Sequence, residues 1–189
     1  VLKILEDKIG IESGFITTLH PWLSYQNLLD APVNSISNPG HFWKDYSLGR
    51  ASPMCLIPKE TTALTATFEI LPMLKDKLES MSFRVPTMIV TTSDMVSNLK
   101  KETTPDELIK IFEDYTNGNQ NISINKEPLV SIDFKGTSNS AIVDARYIKV
   151  VDRKTCKIII WYDNEWGYSS QVVNAAGILM KSKEIRVRE

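Results

Sequence analysis

Cysteine occurs only twice in these 189 residues, as Cys55 and Cys156, far apart and in no metal-ligand spacing. That argues against a disulfide framework or a cysteine-built metal centre, and it fits a reduced, cytoplasmic setting. A charge excess is also lacking: the formal net charge is −1. A general affinity for DNA or RNA, which needs a basic excess or stripe, is therefore not expected. No apolar run approaches the length of a membrane span. No G-x-G-x-x-G turn occurs, so a dinucleotide-binding half built on one is not in this stretch. Internal repeats and low-complexity tracts are missing too. What remains is a 42% apolar, 24% charged chain, long enough for one well-buried globular domain spanning 1–189.

The most informative stretch is 157–168, K-I-I-I-W-Y-D-N-E-W-G-Y. Ile158, Ile159 and Ile160, followed by Trp161 and Tyr162, read as a strand buried on both faces. Asp163-Asn164-Glu165 stops it and starts a helix. Val172, Val173, Ala176, Leu179 and Met180 then recur at helical spacing. Asn164 and Tyr168 are left near the strand's end, where open polar positions often carry function.

Elsewhere the chain alternates loosely. Residues 1–10 read as an amphipathic helix closed by Gly10, and the chain opens inside that helix, as a piece of a longer protein would. Residues 14–20 form a β-branched strand ending at His20. Proline and glycine punctuate an irregular segment over 22–58. A helix is expected over 61–74, ending near Pro72, and a long or broken strand over 81–99. Thr104-Pro105-Asp106-Glu107 is a capping box for a helix with Leu108, Ile111, Phe112 and Tyr115 as its buried stripe. Further strands are expected at 129–134, 141–145, 147–151 and 157–162, with a frayed end over 181–189. The fold class is α+β: a mostly antiparallel or mixed sheet with helices packed on one face.

His20 is one of two histidines and a candidate proton carrier, although a lone histidine is more often structural. Arg84 lies within an apolar strand, which requires either an internal ion pair or a bound anion.

Three segments resemble the glyceraldehyde-3-phosphate dehydrogenase family in that family's order: T-T-L-H at His20, M-S-F-R-V-P-T at Arg84, and W-Y-D-N-E-W-G-Y-S at Asn164. The resemblance covers nearly the whole chain and implies the family's C-terminal catalytic domain, without its NAD-binding half. It implies that His20 is the base activating a cysteine thiol, and that Arg84 grips substrate phosphate. Thr61, with Thr62 beside it, would help bind inorganic phosphate; Thr61 otherwise reads as a helix N-cap. Asn164 would hold the nicotinamide carboxamide of NAD or NADP, and Tyr168 would pack near that ring. The implied partners are a phosphorylated aldehyde, inorganic phosphate and further copies in a homo-oligomer, a tetramer in the family.

The family's cysteine would lie a few residues before Val1, so this stretch alone is expected not to catalyse. The segment 22–58 corresponds to the family's S-shaped loop, extended around 34–43. Arg50 there is expected to be interfacial, and His41 simply exposed.

Departures also occur. H-P-W-L-S-Y-Q puts Leu23 where the family has a phosphate-bonding threonine, and Lys59 and Glu60 stand where it has two serines. These motivate alternatives: an erythrose-4-phosphate-type or non-phosphorylating relative, or a non-catalytic oligomerisation module.

Overall fold

The computed structural model describes residues 1–33, 46–119 and 121–186. His41 and the proposed extension at 34–43 lie outside the described residues.

Helix α1 (Leu2–Lys8) buries Ile4 and Leu5. It ends where Ile9 N and Gly10 N both donate to Leu5 O at 2.9 Å. Gly10 has φ +85°, and a Cβ there would meet Lys100 Cδ at 2.7 Å, so this exit suits only glycine. Next come β1 (Ile11–Pro21) and β2 (Ile57–Lys59). Helix α2 (Ala63–Ile70) follows, then β3 (Leu78–Val85) and β4 (Thr91–Leu99). Helix α3 (Pro105–Thr116) has the expected capping box, with Glu107 N donating to Thr104 Oγ1 and Thr104 N to Glu107 Oε2. The chain finishes with β5 (Ile122–Asn125), β6 (Ala141–Val151), β7 (Thr155–Tyr162) and α4 (Trp166–Arg186).

Among the described residues these strands form one seven-stranded sheet in the order β2-β3-β1-β4-β7-β6-β5. The pairs β1–β3 and β5–β6 are parallel and the others antiparallel, so the α+β, mixed-sheet reading holds. Helices α1, α2 and α3 cover one face through Leu5, Leu64, Leu108 and Phe112, against Met95, Val143 and Ile158 of the sheet.

Several local expectations give way. Residues 81–99, expected as a long or broken strand, are broken: the end of β3 and all of β4 lie there, with β1 between them in the sheet, a long-range pairing that no local pattern encodes. Residues 129–134 are not a strand. Asp133 accepts from Val130 N at 2.8 Å, which folds Ser131–Phe134 into a tight 3-10 turn. Phe134 then stacks on Trp161 with ring centres 5.6 Å apart. The strands expected at 141–145 and 147–151 are one strand, its register broken between Asp144 and Lys149. Strand β2 falls within the segment expected to be irregular; it contains Pro58, which an edge strand tolerates.

Strand β7 is not buried on both faces. Ile158 and Ile160 face the helices, while Ile159 and Trp161 are only partly covered on the other side. On α4, Val172, Val173, Leu179 and Met180 are all exposed, so the apolar stripe is not buried. Of the frayed end expected over 181–189, residues 181–186 are the last part of α4, and 187–189 lie outside the described residues.

Candidate active site

Alternation along β1 turns Thr18 and His20 toward the helix-covered face. Strand pairing aligns their neighbours: His20 lies opposite Arg84, Thr18 opposite Ser82, and Leu19 opposite Thr92. Thr91 in turn lies opposite Tyr162. The result is a polar row, Arg84–His20–Thr91–Tyr162, laid across β3, β1, β4 and β7 at one end of the sheet. Directly opposed residues on a sheet share a face and approach closely, so four strands drawn from three stretches far apart in sequence present their side chains together.

The imidazole is held from both sides. His20 Nε2 lies 3.0 Å from Thr18 Oγ1, and Nδ1 lies 3.3 Å from Thr91 Oγ1. A hydroxyl can donate or accept, so either neutral tautomer is satisfied. The Tyr162 ring meets the imidazole edge-on, with centres 6.5 Å apart. Burial lowers the His20 pKa to about 4, with help from the Arg84 and Lys59 charges. The ring is therefore neutral near pH 7. Burial pushes the Tyr162 phenol up to about 12, opposed by the Thr91 hydroxyl and the Arg84 charge, so it remains a protonated donor.

Arg84 donates through Nη1 to Pro21 O at 3.2 Å, while its buried Nε has no partner. Among the described residues no carboxylate pairs with it; the ion pairs lie elsewhere. Of the two explanations for an arginine in this strand, an internal salt bridge is thus not the one seen.

At the C-terminal end of β7, Asp163 is 3% exposed. It accepts from Gly136 N at 2.8 Å, Glu165 N at 2.8 Å and Trp166 N at 2.7 Å. Burial alone would raise its pKa, but these donors hold the carboxyl below its ordinary value. The turn is thereby fixed, and with it the adjacent Asn164, whose buried Oδ1 has no hydrogen-bond partner. A buried acceptor with no partner, two residues beyond Tyr162, is open to a donor from outside these residues.

A cavity of about 380 Å³ opens between Val1 and Leu2 of the α1 leading end, Thr67 and Ile70 of α2, and Ser93 and Tyr162 of the sheet. The row therefore ends beside the start of the first helix.

Not every expected residue joins this arrangement. Thr61 Oγ1 accepts from Ala63 N at 3.2 Å, and Thr62 is the N-cap of α2 without a side-chain cap. Both begin α2, beyond Lys59, and no hydrogen bond ties them to His20 or Arg84 among the described residues. Tyr168 is 72% exposed on α4, with no described bond or ring contact to the row. Arg50 pairs with Asp30 through Nε at 3.1 Å on the surface. Cys156 is fully buried, which pushes its thiol up to about 11, the behaviour of a core residue rather than a nucleophile.

Thr91 and Tyr162 escaped sequence reasoning. Tyr162 closes the informative motif yet reads there only as part of an apolar strand, and Thr91 becomes significant only through its pairing.

The family model described as "Glyceraldehyde 3-phosphate dehydrogenase, C-terminal domain" matches residues 1–164. Glyceraldehyde-3-phosphate dehydrogenase 2 of Staphylococcus aureus strain Mu50 is 40% identical over 188 residues, covering 97% of this chain and 52% of that protein. Glyceraldehyde-3-phosphate dehydrogenase 1 of Bacillus subtilis strain 168 is 38% identical over 181 residues, covering 95% and 51%. The chloroplastic A enzyme of Chlamydomonas reinhardtii is 38% identical over 182 residues, covering 95% and 46%. The chain thus spans about half the length of the curated relatives it matches.

Proposed function

The chain belongs to the glyceraldehyde 3-phosphate dehydrogenase family, matching its C-terminal domain, and from that premise we propose that the whole protein is an NAD(P)-dependent phosphorylating dehydrogenase of a phosphorylated aldehyde. The observation that carries this reading is the alignment of a buried imidazole with a guanidinium that has no carboxylate partner among the described residues, at one sheet end.

His20 is the general base. It takes the proton of a thiol supplied by the rest of the intact protein; the thiolate adds to the aldehyde carbon as the carbonyl π bond breaks, and the imidazolium returns the proton to the alkoxide to give a thiohemiacetal. When the thiohemiacetal collapses to a thioester, His20 accepts the hydroxyl proton as the hydride leaves. Bound NAD(P) supplies the hydride acceptor. Asn164 Oδ1 orients its carboxamide, and Tyr168 packs near the ring. Arg84 holds the substrate phosphate through its free Nε edge. Thr61 and Thr62, at the open start of α2, receive the inorganic phosphate that opens the thioester to an acyl phosphate.

The exposed stripe of α4 is the seat for the cofactor-binding half. The exposed Phe15 and Met81 on the uncovered sheet face belong to an interface of a homo-tetramer. A domain that lacks the thiol does not turn over by itself.

The test is aldehyde-dependent reduction of NAD and NADP by the intact protein, with and without inorganic phosphate, in wild type and His20→Gln. Phosphate-dependent turnover, reduced roughly 10²–10⁴-fold by His20→Gln, is expected. Turnover without phosphate identifies a hydrolytic relative instead, a reading favoured by the apolar, 37% exposed Leu23. No turnover with any aldehyde leaves the oligomerisation module.

A further inference from the structure

Strand β2 adds a cation to the site that the roles above leave unused. Lys59 lies opposite Ser82, and Ile57 opposite Arg84, across β2 and β3. Ser82 and Arg84 are two residues apart on one strand and so share its face. Lys59 shares it too, because opposed residues point to the same side. The β2 backbone is pinned there, where Ser82 Oγ donates to Lys59 O at 3.0 Å. The ammonium thus stands on the face that carries Arg84 and His20, diagonal to the guanidinium and within reach of a long side chain. The Lys59 charge is also felt at His20, where it opposes protonation.

Among the described residues neither cation meets a carboxylate, and the neighbouring Glu60 bonds to neither. Two uncompensated positive charges, one with a buried unpartnered N–H, are costly unless an anion joins them. A phosphate monoester carries close to two negative charges near neutrality. One guanidinium answers only part of that charge, and an ammonium adds a compact, adjustable donor group.

We propose that Lys59 is the second cation of the anion site, so that a phosphate group is held between Lys59 and Arg84 rather than by Arg84 alone. This rests on the dehydrogenase reading for its substrates, but the binding itself does not require turnover.

The test uses the intact protein with Lys59→Met, which keeps the stem and removes the charge, and Lys59→Arg, which restores it. Inorganic phosphate is titrated by calorimetry. Lys59→Met is expected to weaken binding about tenfold or more, and Lys59→Arg to recover most of it, as for one charge-assisted hydrogen bond. Kinetics identify the source: a raised KM for the phosphorylated aldehyde alone assigns the site to substrate phosphate. A raised KM for inorganic phosphate alone assigns it to the attacking ion. Both results support the proposal. Should Lys59→Met lower the melting temperature, Lys59→Gln replaces it. Phosphate binding that is undetectable in wild type, or the same in the uncharged variants, overturns the inference while leaving wild-type turnover intact. Wild-type inactivity with every aldehyde defeats the dehydrogenase reading instead, and the calorimetric result stands apart from it.

Discussion

Replacing Asp163 tests how the fold sets the cofactor side of the site. One Asp163 oxygen caps α4 through Glu165 N and Trp166 N, and the other ties in Gly136 N across 27 residues. Asp163→Ala removes all three acceptor contacts. Loss of the cap costs about 1–2 kcal/mol, and loss of a charged acceptor for the Gly136 N–H about as much again, so roughly 3 kcal/mol is expected. Asp163→Asn keeps one cap oxygen but turns an N–H group toward Gly136 N, for about 1–2 kcal/mol. The carboxyl has a folded-state pKa below its ordinary value. Its contribution is therefore present above the ordinary carboxylate range and fades as pH falls through the folded value. Urea unfolding followed by tryptophan fluorescence measures both effects. A loss below about 1 kcal/mol for Asp163→Ala, or an unchanged acid limb, would refute the argument that this carboxylate holds the turn.

Two further substitutions probe the framework. Gly14→Ala would put a Cβ 2.6 Å from Val96 O and 2.8 Å from Ser97 Oγ. It should lower stability by about 1–3 kcal/mol in thermal melts, and a neutral result would mean that β1 and β4 can part without penalty. Arg146→Met strands Asp144, which is 0% exposed and held by Arg146 Nη2 at 2.7 Å and Trp161 Nε1 at 3.0 Å. About 3 kcal/mol should be lost, and a double variant with Asp144→Asn should recover part of it in chemical denaturation.

The legible parts of this molecule were local ones. The capping box at Thr104 and the glycine exit at Gly10 each follow from a few neighbouring residues. So does the strand–turn–helix through Asp163, and all formed as the patterns imply. His20 and Arg84 could be singled out because a proton carrier at a strand end and a charge in an apolar strand are locally anomalous. Their adjacency could not, because it depends on a parallel pairing of β1 and β3 that spans more than 60 residues. Thr91 was invisible for the same reason. At 129–134 the apolar pattern misled, since Asp133 satisfies the backbone locally and no partner strand is needed. The α4 stripe has the spacing that usually marks burial, yet its residues are exposed, because spacing alone does not say which face a helix turns to the sheet.

The central claim is that Arg84 and His20 share one desolvated, cationic site. Its most direct test is the imidazole titration of His20, followed by NMR in wild type and Arg84→Met. The ring should titrate at about 4 in wild type, with the midpoint moving up toward the ordinary histidine value once the guanidinium is gone. Because the unfolded chain takes up that proton at higher pH than the folded one, stability should also fall as pH drops from about 6.5 toward 4. A wild-type midpoint near 6.5, unchanged by Arg84→Met, would contradict the account.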